Sequence, residues 1–221
     1  MRTSAITWVS FCAAAACASG RPAFRASEAW SITVLGDTAD SRFVAVEEAV
    51  SFWNGELAAI GAGVRFVAIR SSIQRLPESV LQQLSEGVRA RARLRRPEQL
   101  DTIPGDVVVA LASSDLTSVG IDPRRFGRAL VVLRPGNVPP LSLPNVARNV
   151  AAHELGHVLG LQHNDQPGTL MCAPPAPCRP NMWRSDQVRF FPLTEAEKAL
   201  LLRRWRATSG MSIIPSWRSA S

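Results

Sequence analysis

His153-Glu154-Leu155-Gly156-His157-Val158-Leu159-Gly160-Leu161-Gln162-His163 is the stretch on which fold and chemistry both turn. His153 and His157 are four apart, so on a helix both imidazoles leave from one face, where two neutral rings can share one Zn²⁺. Glu154 follows the first of them and is rotated off that face. It is placed to hold a water at the metal rather than to serve as a ligand. Gly160 comes three residues after His157. A helix that must stop sharply wants glycine there, because it takes the left-handed conformation without a Cβ clash. The turn brings the chain back under the metal and offers His163 as the third ligand. Three protein ligands leave a fourth position open, as in catalytic rather than structural zinc. The bland alternative is a chance H-E-x-x-H in an ordinary helix. It is weakened by the length of the pattern, and by the fact that the chain's three histidines all lie in it.

The pattern H-E-x-x-H-x-x-G-x-x-H resembles the signature of the metzincin metallopeptidases. Metzincins carry a Met-turn below the metal, and Met171, in Gly168-Thr169-Leu170-Met171, follows His163 by eight residues. That spacing, Leu-Met ahead of a Pro-containing segment, and Asn149-Val150-Ala151-Ala152 before His153 are similar to the matrixin branch, the matrix metalloproteinase type of catalytic domain. The similarity runs from about Trp30 to about Trp205. It implies an α+β, zincin-like domain. Its twisted mixed sheet has about five strands with an antiparallel edge strand, joined by three main helices and a small C-terminal subdomain after the active-site helix. It also implies a peptide substrate extended along the edge strand, one of its side chains entering a pocket beside the Met-turn. Ala173, Pro174 and Pro175 would line the wall of that pocket. His153, His157 and His163 would hold one catalytic Zn²⁺, Glu154 would be the general base of peptide-bond hydrolysis, and Gly160 and Met171 would support the site.

Absences narrow the branch. The chain has no tyrosine, so the tyrosine metal ligand of astacin-like and serralysin-like metzincins is missing. No histidine remains for the second, structural zinc of vertebrate matrixins. No Asp-Gly-rich calcium loop is visible, although calcium held by carbonyls stays open. Where the family often has Ser after the third histidine, this chain has Asn164-Asp165. Asp165 either bonds a ligand histidine or the backbone from behind or shapes the turn.

Residues 1–18 read as a signal peptide, with Arg2 as the basic start, an apolar run from Ala5 to Ala16, and Ala16-Cys17-Ala18 as a small-x-small cleavage site. A lipid anchor on Cys17 is the second reading. Cys12 and Cys17 belong to this segment, which leaves Cys172 and Cys178 in the body of the chain. Export would put these two in an oxidising compartment, where a disulfide is expected across the stiff Ala-Pro-Pro-Ala-Pro loop. Two free thiols, or a thiolate on the metal, are the alternatives. Between Ala18 and Trp30 there is no cysteine and no length for a long pro-domain, so a matrixin-type cysteine switch is not expected. The peptidase domain is expected over 19–206, its upper part to about 160 and its lower part over 161–206, with a mobile tail over 207–221.

Trp30 to Leu35 alternates and predicts a strand. Ser41 to about Ile60 has helical spacing, and Phe52-Trp53-Asn54 resembles the aromatic end of the first matrixin helix. Val64 to Ile69 is a second strand. Glu78 to Leu94 has helical composition and runs into Arg89, Arg91, Arg93, Arg95 and Arg96. This basic run is either a solvated helix end, suited to the C-terminal dipole, or a docking patch. Asp106 to Leu111 and Ala129 to Leu133 are buried strands, and the loop region Ser113 to Phe126 has room for the edge strand. The active-site helix begins near Pro144 or Asn145 and is apolar nearly all round, so it is expected at the centre. A last helix starts after Thr194, with Glu197 completing a capping box.

The formal charge of +7 comes almost wholly from arginine, Lys198 being the only lysine. Arginine usage can follow genomic base composition, and nucleic acid is not an expected partner. No apolar run of about 20 residues follows the N-terminus, so no transmembrane span is expected. Together these features predict a secreted or cell-envelope, monomeric zinc endopeptidase acting on protein or peptide substrates. The alternatives are a narrow-specificity cell-envelope peptidase and a catalytically silent zinc-containing binding protein.

Overall fold

A computed structural model describes residues 28–139, 141–173, 178 and 187–206. The segment expected to be a signal peptide, with Cys12 and Cys17, the loop residues Pro174 and Pro175, and the residues expected to form a C-terminal tail lie outside the described residues. The elements run β1 (Glu28–Leu35), α1 (Ser41–Ala59), β2 (Val64–Ser72), α2 (Glu78–Arg89), β3 (Val107–Leu111), β4 (Val119–Ile121), α3 (Pro123–Phe126), β5 (Ala129–Leu133), α4 (Pro144–Val158) and α5 (Glu195–Arg204). The strands form one sheet in the order β2-β1-β3-β5-β4. All pairs are parallel except β4 with β5, so the expected mixed sheet with an antiparallel edge strand is present.

β3 and β5 are buried at every position, because both faces of the sheet are covered. On one face Val107, Val109, Val131 and Leu133 pack with Trp53 of α1 and with Val150 and Leu155 of α4. On the other face Val108, Ala110, Leu130 and Val132 pack with Leu81 and Leu84 of α2 and with Leu100 and Ile103 after it. The segment between the second and third strands thus serves as a cover for the second face. Arg42, buried near the start of α1, donates to the carbonyls of Ala112 (2.7 Å), Leu133 (3.2 Å) and Arg134 (3.0 Å), which lie at the C-terminal ends of β3 and β5. It satisfies acceptors that would otherwise be buried unpaired.

Three boundaries differ from expectation. β1 starts at Glu28, where the Glu28 N–H donates to the Gly63 carbonyl at 2.7 Å, two residues before the alternating pattern. β2 runs on to Ser72, because Leu35 of β1 still pairs with it there. As an outer strand it tolerates Arg70, Ser71 and Ser72 on exposed or half-buried positions. α2 stops at Arg89 rather than Leu94. The Ala92 N–H bonds the Gly87 carbonyl (2.8 Å) and the Arg91 N–H bonds the Val88 carbonyl (3.1 Å), a Schellman turn with Arg91 at φ 53°. Leu94 then folds back over Gly87, so much of the arginine run is loop, not helix. Thr194 and Glu197 form the expected capping box at α5.

Candidate active site

α4 begins with Pro144 at its first turn and carries His153, Glu154 and His157 in its last turns. Among the residues along its inner side, Val146, Ala151, Ala152, Leu155 and Val158 are buried. The indole N–H of Trp53 donates to the Ala152 carbonyl at 2.8 Å, which fixes α4 against α1 one residue before the first histidine. The helix ends in a second Schellman turn: the Leu161 N–H bonds the Gly156 carbonyl (2.9 Å) and the Gly160 N–H bonds the His157 carbonyl (3.0 Å). Gly160 has φ 98°, and a Cβ there would lie 2.3 Å from the Arg204 guanidinium. The backbone conformation favours glycine, and any Cβ would have to push the Arg204 guanidinium aside.

This turn delivers His163 to the other two rings. Its Nε2 lies 3.1 Å from Nε2 of His153 and 3.0 Å from Nε2 of His157. Two nitrogens on a tetrahedral zinc with bonds of about 2.0–2.1 Å are roughly 3.3 Å apart. His153 Nδ1 sits 2.7 Å from the Leu170 carbonyl oxygen and His157 Nδ1 2.9 Å from that of Leu161. A carbonyl only accepts, so both Nδ1 atoms carry the proton and both Nε2 atoms keep their lone pair for a metal. Burial pushes the His157 pKa down to about 4, helped by the nearby His163 ring and opposed by the bond to Leu161. Burial lowers His163 as well. Neutral imidazoles are what a cation needs, so these residues fit a zinc ion. The three histidines are the metal-competent cluster among the described residues.

Glu154 is buried, and it lines the same cleft as the three histidines. β4 lies directly against it. A Cβ on Gly120 would stand 2.1 Å from the Glu154 carbonyl oxygen and 2.9 Å from His157 Cβ, so this glycine lets the edge strand touch the helix at the site. Met171 is fully buried, with its sulfur 2.6 Å from where a Cβ on Gly156 would be. Gly156, between His153 and His157 in the chain, therefore makes room for the methionine below.

The turn after His163 is held by Asn164. Its Oδ1 accepts from the Gln166 N–H (2.9 Å) and the Thr169 hydroxyl (3.1 Å), and its Nδ2 donates to Glu197 Oε1 at 2.7 Å. Its backbone pairs with Met171 and Ala173. Asp165 is exposed, and the hydrogen bonds of this turn run through its neighbour. Cys172 is bonded to Cys178. A cleft of about 1080 Å³ runs between β4, the histidines and the segment Thr169–Ala173. Ala173 lines it, while Pro174 and Pro175 lie outside the described residues.

Sequence reasoning named the three histidines, which the structure brings together, and Glu154, Gly160 and Met171. It missed Asn164, Gly120 and Gly156, whose roles depend on chain segments far away. The only signal was the asparagine standing where serine is usual.

The matrixin profile of peptidase family M10 matches residues 12–181. The chain belongs to the matrixin family. That match begins before β1 and stops short of α5, whereas similarity was expected from about Trp30 to about Trp205. Matrixins are zinc-dependent peptidases, and the histidine cluster could hold such an ion. Among solved structures, archaemetzincin from Methanopyrus kandleri is similar, with 18% identity over 81% of this chain and 96% of that one, at a TM-score of 0.43. No curated protein sequence gives a significant match.

Proposed function

We propose that this matrixin is an exported zinc endopeptidase in which His153, His157 and His163 hold the metal and Glu154 is the general base. The observation that carries this is the convergence of three Nε2 atoms, with separations of 3.0 and 3.1 Å among them, beside a buried carboxylate and under an open strand edge. When bound, zinc supplies Lewis acidity and brings the pKa of a water toward about 7. Glu154 takes up a proton at its carboxylate and returns it to the leaving amine. The free side of β4 pairs with the backbone of an extended peptide, which gives affinity with little demand on sequence. Ala173, which lines the cleft, forms part of the wall of the pocket that takes a substrate side chain. No helix of the described residues is long and apolar enough to cross a membrane. The Cys172–Cys178 bond suits an oxidising compartment, and Arg2 with the apolar run behind it suits secretion.

Glu154→Gln keeps the volume and removes the base. Zinc should stay near one ion per chain and the melting temperature should hardly move. Cleavage of a peptide library should drop by roughly 10²–10⁴-fold, the contribution of a positioned base. Cleavage at the parent rate would show that Glu154 is not the base. A parent protein that holds zinc and cleaves no peptide would point to the silent binding protein instead.

A further inference from the structure

The cleft has a second wall that the proposed chemistry does not use. Arg89, at the end of α2, Arg91, in the turn after it, and Arg125, in α3, all line it together with the β4 end at Ile121 and Asp122. The Arg125 guanidinium donates to the Ala92 carbonyl at 3.0 Å, so α3 and the α2 turn meet at the same end of the cleft. All three arginines are exposed, and none forms a salt bridge with a carboxylate among the described residues. The carboxylates that line the cleft are Asp122 and Glu154. Asp122 already holds Arg124 at 2.9 Å and Arg204 at 2.7 Å, and Glu154 is buried. A fourth lining arginine, Arg134, is paired with Asp115. Among the described residues, this end of the cleft thus presents three cations with no resident anion.

Arg91 adds a second observation. It is the single non-glycine residue with positive φ among the described residues, at 53°. A side chain in that conformation costs about 1–2 kcal/mol that glycine would avoid. Here the residue that bears the cost places a guanidinium on the cleft.

We propose that this end of the cleft selects peptides bearing Asp or Glu, with Arg89, Arg91 and Arg125 as specificity-determining residues. The inference rests on the peptidase function above. A peptide paired with β4 and continuing past Ile121 brings its side chains under these guanidinium groups. An Arg fork matches a carboxylate in two-point geometry. Each exposed pair is weak on its own, but several cations in one cleft add and steer an anionic segment inward.

The test uses peptide pairs that differ only by Asp against Asn or Glu against Gln. They are measured on the zinc-loaded protein by kcat/KM, and on its Glu154→Gln variant by fluorescence anisotropy. The acidic member should be favoured about three- to tenfold at low salt. The preference should shrink at high salt, as the Debye length falls from about 10 Å at 0.1 M to about 3 Å at 1 M. Arg89→Gln with Arg91→Gln and Arg125→Gln should bring the ratio close to one. Arg65→Gln, an exposed position on β2 at the opposite edge of the sheet, should leave it in place. A ratio of one in the parent, or a ratio that survives the triple substitution, overturns the proposal. The single variant Arg91→Gln is the charge-matched comparison, and an Arg65→Gln effect as large as its effect also overturns the proposal, since net charge alone would then be responsible. Equal cleavage of both peptides leaves the peptidase function standing. A parent that cleaves neither, while still binding the acidic one more tightly, keeps the arginine wall and removes the peptidase.

Discussion

α2 and α4 end in the same way and for different purposes. Both close in a Schellman turn with one residue in the left-handed region: Arg91 after α2 at φ 53°, and Gly160 after α4 at φ 98°. After α4 the Arg204 guanidinium occupies the volume a Cβ would need and would have to swing aside for one. The turn aims His163 at two other histidines, so small errors in direction would part the three rings. After α2 the turn is open to solvent, and an exposed arginine stands in it. Where the turn must aim a residue and a side chain crowds it, glycine serves without strain. Where the turn merely has to close, a side chain can be carried at a cost.

The largest effect that would sharpen this contrast is Gly160→Ala. It combines a disfavoured φ with a Cβ that must displace Arg204, and should lower unfolding stability by about 2–4 kcal/mol. Zinc affinity should fall with it, because His163 is carried by the turn. Denaturant melts with a parallel zinc titration would show both, and an alanine variant as stable as the parent would abolish the distinction between the turns.

Asn164→Ala comes next, at about 1–2 kcal/mol, because it strips acceptors from Gln166 and Thr169 and a donor from Glu197. Asn164→Asp should be no better, since it sets a second carboxylate against Glu197. If either variant melts with the parent, the α4 turn does not need the strap that follows it.

The smallest effect should have the opposite sign. Arg91→Gly relieves the left-handed side chain and should raise stability by about 0.5–1 kcal/mol, the gain being partly offset by the entropy of glycine in the unfolded chain. A loss of stability instead would mean that the Arg91 side chain holds structure, and the two turns would be more alike than they look.

The same pair explains what could be read in advance. Gly160 was legible because glycine at that distance from His157 has a local meaning, and the histidine spacing is itself a helical pattern. The buried strands β3 and β5, the Pro144 start of α4 and the Thr194–Glu197 capping box were legible for the same reason. Arg91 was not, because arginine carries no turn signal and the helical composition runs past it to Leu94. The partners of Asn164 lie five and thirty-three residues on, at Thr169 and Glu197, a separation with no period to detect. Gly120 reads as an ordinary strand glycine until the helix it touches is in place. The arginine wall needed α2, α3 and β4 to be assembled before the charges shared one cleft.

The last turn of α5 has a consequence for how the molecule breathes. Trp205 donates its indole N–H to the Leu159 carbonyl at 2.9 Å, accepts the Gly63 N–H at 2.6 Å, and packs edge-on against Trp30 at 5.0 Å. Glu197 caps its own helix and holds Asn164 with the same carboxylate. The end of the described chain is therefore bolted to the first strand, to the exit of α4 and to the segment that carries the third histidine. Fraying of α5 cannot stay local. In a native-state exchange experiment the amides of Asn164, Leu161 and Ala173 should open together with those of α5, as one cooperative unit rather than as separate loops.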